Sequence, residues 1–407
     1  MQPDGRPRFL ARFSRVTTRG TFVPEVDGLR FVAILAVIFF HLAINLASRN
    51  AADFAYPVPG DPLHLLLRSG ELGVQLFFVV SGLVLALPFA RHHLLGERPV
   101  DLKAYFLRRL TRLEPPYALV MVGCFLLLVV VHGRDPVGLA PHLLASLLYV
   151  HDLVYARDSL INNVAWSLEV EIQFYLLVPV LTLLLAVRAP AARRSLLVGA
   201  VLLTSAVGPQ LAATSPHLEN TLLRFLQYFL VGFLLADLLV TGQLRRPRGR
   251  LVWDVAALAT VPVVVMLHTQ SGVATWLPAG SARGLVAEVA LPFLFLVACL
   301  GVFRGVVLNA ALRLPLLTTV GGMCYSIYLL HNVLLNNTLF VTRDLASFGV
   351  YGLDLLVQAA IMVPFVVVVS AVFFVLVERP CMDRTWPRRL RAWLASRVGA
   401  RAADAGR

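Results

Sequence analysis

Charge is scarce in this chain of 407 residues: 14% are Asp, Glu, Lys or Arg, against 58% hydrophobic ones. Soluble domains carry about a quarter charged residues, so this composition, with a mean hydropathy of +0.77, excludes an ordinary soluble fold. Cysteine is scarce as well. Cys124, Cys299, Cys324 and Cys381 lie far apart and mostly inside apolar runs, which leaves neither a disulfide frame nor a metal cluster to expect. The Gly-x-Ser-x-Gly elbow, the Walker phosphate loop and the His-Glu-x-x-His zinc helix are all missing, and with them the signatures of three common chemistries. There is no internal repeat and no low-complexity tract.

What the chain has is long apolar runs. Stretches able to span a bilayer fall near 29–48, 70–90, 115–132, 167–187, 195–212, 220–241, 251–270, 284–303, 316–339 and 353–377. The expected fold is all-α, a polytopic integral membrane protein with about ten transmembrane helices. The net charge of +13 does not point to nucleic acid, because the arginines sit in short runs between apolar segments rather than on one basic face. They read as topology signals. Placing the connections alternately puts 29 of the 36 cations on the side of the N-terminus and six on the other, with Arg224 inside a span. That bias predicts both termini in the cytosol.

The first apolar run is about twenty residues long, longer than the core of a cleaved signal peptide, so none is expected. The chain then divides into a basic cytosolic tail at 1–24 that meets an anionic lipid leaflet, a spanning domain at 25–380, and a basic cytosolic tail at 381–407. Two connections carry more than linkers do. The segment 100–115, with Tyr105, Arg108, Arg109 and Arg112 on one face, predicts a short interfacial helix with a basic edge. The outer loop 132–165 holds the apolar patch 143–150, too short to span, which is a candidate re-entrant piece.

The residues that carry chemistry are few. In EVDGLRFVAILAVIFFH at 25–41, the step from Arg30 to His41 is three helical turns plus roughly 20°, so both share one face about 16 Å apart. An imidazole at mid-membrane is costly and marks a functional site. In WSLEVEIQFY, Ser167, Glu171 and Tyr175 step by four along one stripe, while Glu169 points about 200° away from Glu171. In GGMCYSIYLLHN, Tyr325, Tyr328 and His331 step by three. Ser81, beside Gly82, reads as a serine bonded to its own backbone in a close helix contact.

Taken together, DGLRFVAILAVIFFH, LGVQLFFVVSGL, YFLRRLTRLEPPY, WSLEVEIQFY, YSIYLLH and VERP occur in the order of the signatures of membrane-bound acyltransferase family 3. The resemblance covers roughly 25–380. It implies a ten-helix enzyme of a bacterial inner membrane that moves an acyl group, commonly acetyl, from cytosolic acyl-CoA. The acceptor would be a hydroxyl of a carbohydrate or of a glycosylated small molecule. By the resemblance His41 is the catalytic histidine, Arg30 its partner, Arg109 and Arg112 the paired arginines that hold the donor, and Glu171 the signature glutamate. The family commonly has two adjacent acids, where this chain has Ile172 after Glu171. Ser167, Tyr175, Tyr328 and His331 are candidate acceptor contacts, and no metal is expected. Some members carry an extracytoplasmic transferase domain, so the expected counterpart of any relay here is a separate protein.

An ester transfer needs a base for the acceptor hydroxyl and a grip on the donor's phosphates. Neutral His41 suits the first role. Arginine forks suit the second, since guanidinium geometry matches phosphate. A proton-coupled secondary transporter is the rival class, because membrane histidines and carboxylates also relay protons, but the paired interrupted helices of such transporters are not found. A scaffold in a polysaccharide-export complex is the third reading.

Overall fold

A computed structural model of the chain describes residues 10–13, 22–48, 60–244, 250–270, 282–342, 348–383 and 386. The basic tails expected at 1–24 and 381–407 lie mostly outside these residues. Among them regular structure is helical throughout, without a strand. Nine segments among the described residues are long and apolar enough to cross a membrane. They contain α1 (Pro24–Ser48), α2 (Pro62–Arg68) running into α3 (Gly73–Leu95), and α4 (Leu102–Val130). After the outer-loop helices α5 (Pro136–Leu147) and α6 (His151–Tyr155) come α7 (Trp166–Leu181), α8 (Pro190–Ala212), and α9 (Pro216–Glu219) leading into α10 (Leu222–Val240). Next are α11 (Leu251–Gln270) and α12 (Ala282–Arg304). Two short helices, α13 (Val307–Leu312) and α14 (Pro315–Gly322), precede α15 (Cys324–Thr342) and α16 (Tyr351–Phe373).

Helix α15 lies in the ninth of the ten expected runs, the one not represented among these nine segments. It has 19 residues, long enough to span when tilted, but His331, Asn332, Asn336 and Asn337 lower its apolarity. The expected run 316–339 is therefore not one helix. It breaks at Met323, and only the part from Cys324 on is α15.

A second correction concerns 100–132. The expected interfacial helix and the span after it are one continuous helix, α4, of 29 residues that passes through Pro115 and Pro116. A proline inside a helix removes the donor for the carbonyl four residues earlier. Pro115 thereby frees the Thr111 carbonyl, and the Trp386 indole N–H donates to it at 3.0 Å. The helix survives because a distant side chain replaces the lost bond.

Close backbone contact sets the inner packing. Gly70 and Gly73 lie against the Ala36 and Ala33 carbonyls of α1, and Gly82 of α3 and Gly232 of α10 lie against each other's helix backbones, at Phe229 and Val79. Small residues permit such approach in a membrane, where packing rather than hydrophobicity joins helices. Around this centre Phe78, Phe174 and Phe229 stack. Outward positions such as Leu176, Val180, Leu183 and Leu376 are exposed and apolar, the surface a lipid chain meets.

Substituting Gly82→Val should lower stability by about 3 kcal/mol, the upper range for overpacking, since its Cβ would meet the Phe229 carbonyl. A thermal melt of the detergent-purified protein measures this, and a Tm equal to that of the parent would show that α3 and α10 do not cross here.

Candidate functional site

A cavity of about 510 Å³ opens between α3, α4, α7 and α15 at the arginine-rich end of the bundle. Its mouth is lined by Arg91, Arg98, Asp101 and Arg108, and Arg30, Arg109 and Arg112 stand deeper. Six arginines thus face three acids, Asp101, Glu171 and Glu378. The excess of positive charge suits an anionic ligand.

Each inner arginine is held by its own element. Arg30 donates to Asp27 at 2.9 Å one turn earlier on α1, and Asp27 is buried. Arg109 lies over the rings of Tyr105 at 5.9 Å and Tyr175 at 5.4 Å, a cation–π arrangement that leaves its N–H edges available. Arg112 faces Glu378 at 3.9 Å. Among the described residues its Nε and the Tyr105 hydroxyl are buried without a hydrogen-bond partner. A buried donor without an acceptor is costly, and a ligand oxygen in this cavity would satisfy both.

Glu378 arrives through a single π-helical segment, Phe374–Glu378, at the end of α16. Such segments recur at functional sites. Its carboxylate accepts from the backbone N–H and the hydroxyl of Ser326, the latter at 2.6 Å. The VERP sequence carries this acid, but nothing in its spacing foretold the contact with Arg112.

Farther in, the stripe expected on α7 is present. Ser167, Glu171 and Tyr175 all line the cavity. The Ser81 hydroxyl donates to Glu171 at 2.6 Å, so the expectation that Ser81 bonds its own backbone is wrong. The physical reason is the glycine contact beside it, which brings α3 into the bundle next to α7. Ser167 and Tyr328 share a hydrogen bond of 2.6 Å, and the Tyr328 hydroxyl also donates to the Val164 carbonyl. Phe77 meets the Tyr328 ring edge-on at 5.9 Å. Val74, Phe77, Ser167 and Tyr328 form the inner end of the cavity.

His41 and His331 are not among the residues that line it. They stand together beyond Tyr328, whose ring centre is 5.5 Å from that of His331. Their own ring centres are 4.9 Å apart, and His41 Nδ1 is 3.3 Å from His331 Nε2. Gly73, next to Val74 at the inner end, packs on Val37 of α1. His41 is four residues above Val37, so about 6 Å separates its level from the end of the cavity. The structure therefore places Arg30, Arg109, Arg112, Glu171, Ser167, Tyr175 and Tyr328 around one space, and His41 with His331 just past it.

Glu169 faces the other way, as its spacing from Glu171 predicts. It is buried, and its carboxylate accepts the backbone N–H groups of His151 and Asp152, both at 3.1 Å. Its contacts are those of an anchor for the outer loop. The apolar patch of that loop forms the end of α5 and a turn at Tyr149, whose hydroxyl donates to Glu114 on α4 at 2.9 Å.

The family model described as an acyltransferase domain, that of acyltransferase family 3, matches residues 23–376. The chain belongs to that family. Peptidoglycan O-acetyltransferase OatA of Listeria monocytogenes is 29% identical over 201 residues, 45% of this chain and 28% of that protein. A putative O-acetyltransferase of Staphylococcus aureus strain COL is 24% identical over 333 residues, 76% of this chain and 50% of that protein. The O-acetyltransferase OatA of Staphylococcus aureus strain NCTC 8325 is 29% identical over 175 residues, 40% of this chain and 25% of that protein. The chain thus spans half or less of the length of these curated relatives. No solved structure matches. For a member of this family the cavity and the histidine pair are the candidate active site.

The outer loop carries a testable charge. Burial, then the neighbouring Asp158, pushes the Asp152 carboxyl up to about 7. A carboxyl raised above its unfolded value binds a proton in the folded state, so stability falls as pH rises from about 4 toward 7. Proteolysis at the outer loop should accelerate from pH 5 to pH 8 in the parent and change little in Asp152→Asn, as followed by cleavage rate in detergent. Equal pH dependence in both would assign the effect to another group.

Proposed function

We propose that this protein is a membrane O-acyltransferase that moves an acyl group, acetyl by its family, from cytosolic acyl-CoA to a hydroxyl of a carbohydrate or glycosylated small molecule. The observation that carries the reading is the arginine-lined cavity, which ends about one helical turn short of His41. The donor's phosphates sit at Arg30, Arg109 and Arg112, where Arg112 Nε and the Tyr105 hydroxyl lack partners. The pantetheine arm is thin and follows α3 inward past Ser81 and Glu171. Its thioester then meets the inner end at Phe77, Ser167 and Tyr328.

His41 takes the proton of the acceptor hydroxyl, the oxygen attacks the thioester carbonyl, and the CoA thiolate leaves through the cavity. Glu171, held by Ser81, orients polar groups at the inner end. The acceptor arrives from the opposite face of the membrane, where α7 begins. The charge bias of the connections, and α15 as a further span that makes the number even, support cytosolic termini on both ends, in a bacterial inner membrane. The names of the relatives support acetyl as the transferred group and peptidoglycan-like carbohydrate as one class of acceptor. A separate extracytoplasmic transferase is the partner to seek where a relay completes the reaction.

Transfer from labelled acetyl-CoA by detergent-purified protein tests the assignment. His41→Ala should lose at least the roughly 10² to 10⁴ that a general base contributes, with acetyl-CoA binding kept. Near-normal transfer would remove His41 from the base role. Arg109→Ala combined with Arg112→Ala should raise KM for acetyl-CoA about tenfold or more, in line with the loss of one charge-assisted hydrogen bond. An unchanged KM would leave these arginines as topology charges. A reporter fused after Arg407 that is active only outside the cytosol should stay dark, and a bright colony would put the C-terminus on the other side.

A further inference from the structure

The histidine found beside His41 was expected to touch substrate, yet it is fully buried and does not line the cavity described above. Its hydrogen bonds define a different task. His331 Nδ1 is 2.7 Å from the Tyr328 carbonyl and 3.2 Å from the Ile327 carbonyl. A carbonyl oxygen only accepts, so Nδ1 carries the hydrogen. No carboxylate pairs with this ring among the described residues, and a buried charge without a partner is costly, which favours the neutral imidazole. A neutral imidazole has one hydrogen, so His331 Nε2 is an acceptor.

That acceptor points at His41. His41 Nδ1 lies 3.3 Å from His331 Nε2 and 3.0 Å from the Val37 carbonyl. Two acceptors converge on one ring nitrogen, so that nitrogen bears the hydrogen and shares it between them. The same count of hydrogens then leaves His41 Nε2 with a free lone pair. We propose that His331 is the positioning residue of His41, accepting its Nδ1 hydrogen so that Nε2 is the atom that takes the proton from the acceptor. The proposal rests on the reading of His41 as the base.

The Val37 carbonyl alone would not do the same work. It belongs to the turn of α1 just below His41, so it follows the ring and restrains only one rotation about the side chain. His331 comes from α15 and meets the His41 ring at 72° between planes, which fixes the direction in which Nε2 points. When Nε2 gains its proton the positive charge spreads to Nδ1–H, and a nitrogen lone pair at that edge stabilises it. No proton needs to move to His331. This is the division of labour of a base and its orienter, in which the orienter touches neither substrate nor cofactor.

The surrounding contacts hold the two helices in the register this requires. Asn45, one turn above His41 on α1, donates to Asn332 at 2.9 Å, and Asn332 donates to Asn163 before α7 at 2.6 Å. The chain of amides ties α1, α15 and the start of α7 together directly beside the histidine pair. A shift of α15 by one residue would break it.

Two substitutions separate the acceptor from mere packing. Asparagine at 331 can still donate to the Tyr328 and Ile327 carbonyls but offers nothing in the place of Nε2. Glutamine reaches that place with its amide oxygen and can accept from His41. Transfer from labelled acetyl-CoA by the full-length, detergent-purified protein gives kcat and KM, and a melt gives Tm. His331→Asn should lower kcat about 10²-fold, the smaller end of general-base effects, with KM for acetyl-CoA within about twofold and Tm within a few degrees. His331→Gln should restore kcat to within about tenfold of the parent.

Parent-like kcat in His331→Asn, with His41→Ala inactive, would overturn the positioning role and leave the base intact. Equal losses in Asn and Gln variants that both keep the parent's Tm would overturn it too, since the acceptor would not be what matters. Should His331→Asn fail to fold, ¹⁵N spectra of ring-labelled parent protein decide the point. A protonated Nδ1 and bare Nε2 on His41 support the proposal, and the reverse tautomer sinks it. Full activity of His41→Ala would instead defeat the base reading on which it rests.

Discussion

Inside a bilayer core no water bonds a polar group, so each one must find a partner in the protein or in a ligand. That constraint orders this structure. Asp27 closes on Arg30, Ser81 on Glu171, Ser326 on Glu378, Ser167 on Tyr328, and Asn45 on Asn332 and through it on Asn163. What remains unsatisfied is informative. Arg112 Nε and the Tyr105 hydroxyl both belong to residues that line the one arginine-rich cavity described, where a phosphate would meet them.

The glycine contacts make these pairs possible. A serine hydroxyl reaches a carboxylate on another helix only if the backbones come close, and Gly82 and Gly232 let α3 and α10 touch. Glu171 of α7 then lies within reach of Ser81. At the arginine-rich end the same economy appears in α4, where Pro115 leaves a carbonyl that Trp386 takes. A residue late in the chain therefore fixes the helix that presents Arg109 and Arg112.

Much of this was legible in the sequence. Period and run length foretold nearly every span, because a lipid-facing surface must be apolar along its whole length. The i, i+4 stripe of Ser167, Glu171 and Tyr175 was readable for the same reason that any helical face is: spacing alone fixes it. What escaped was set by tertiary contact. The continuity of α4 depends on Trp386, some 270 residues from Pro115, and the break before α15 on the packing of Gly321 against Asp27. Ser81 looked like a packing serine since its partner lies 90 residues away. His331 stood out in the sequence as a candidate, but spacing along α15 could not say that it faces His41 rather than the cavity. Glu169 and Glu171 were separated correctly by angle, and only the structure supplied the backbone N–H groups that hold Glu169.

The separation of the cavity from the histidine pair is itself consistent with acyl transfer across a membrane. Arginines are tolerable where their forks reach the interface, and a neutral imidazole is tolerable in the apolar depth, so the two functions cannot occupy one level. Helix α1 carries both, about three turns apart on one face. Any donor that spans that distance must be long, thin and charged at one end only, as a CoA thioester is. Phe77 and Tyr328 mark the inner end of the cavity on the side of the histidine pair, and Tyr328 is pinned by Ser167 and the Val164 carbonyl. In the proposed reaction the thioester carbonyl and His41 both have to reach the acceptor oxygen, so the hydrogen bonds that hold Tyr328 decide how closely the end of the cavity approaches the base.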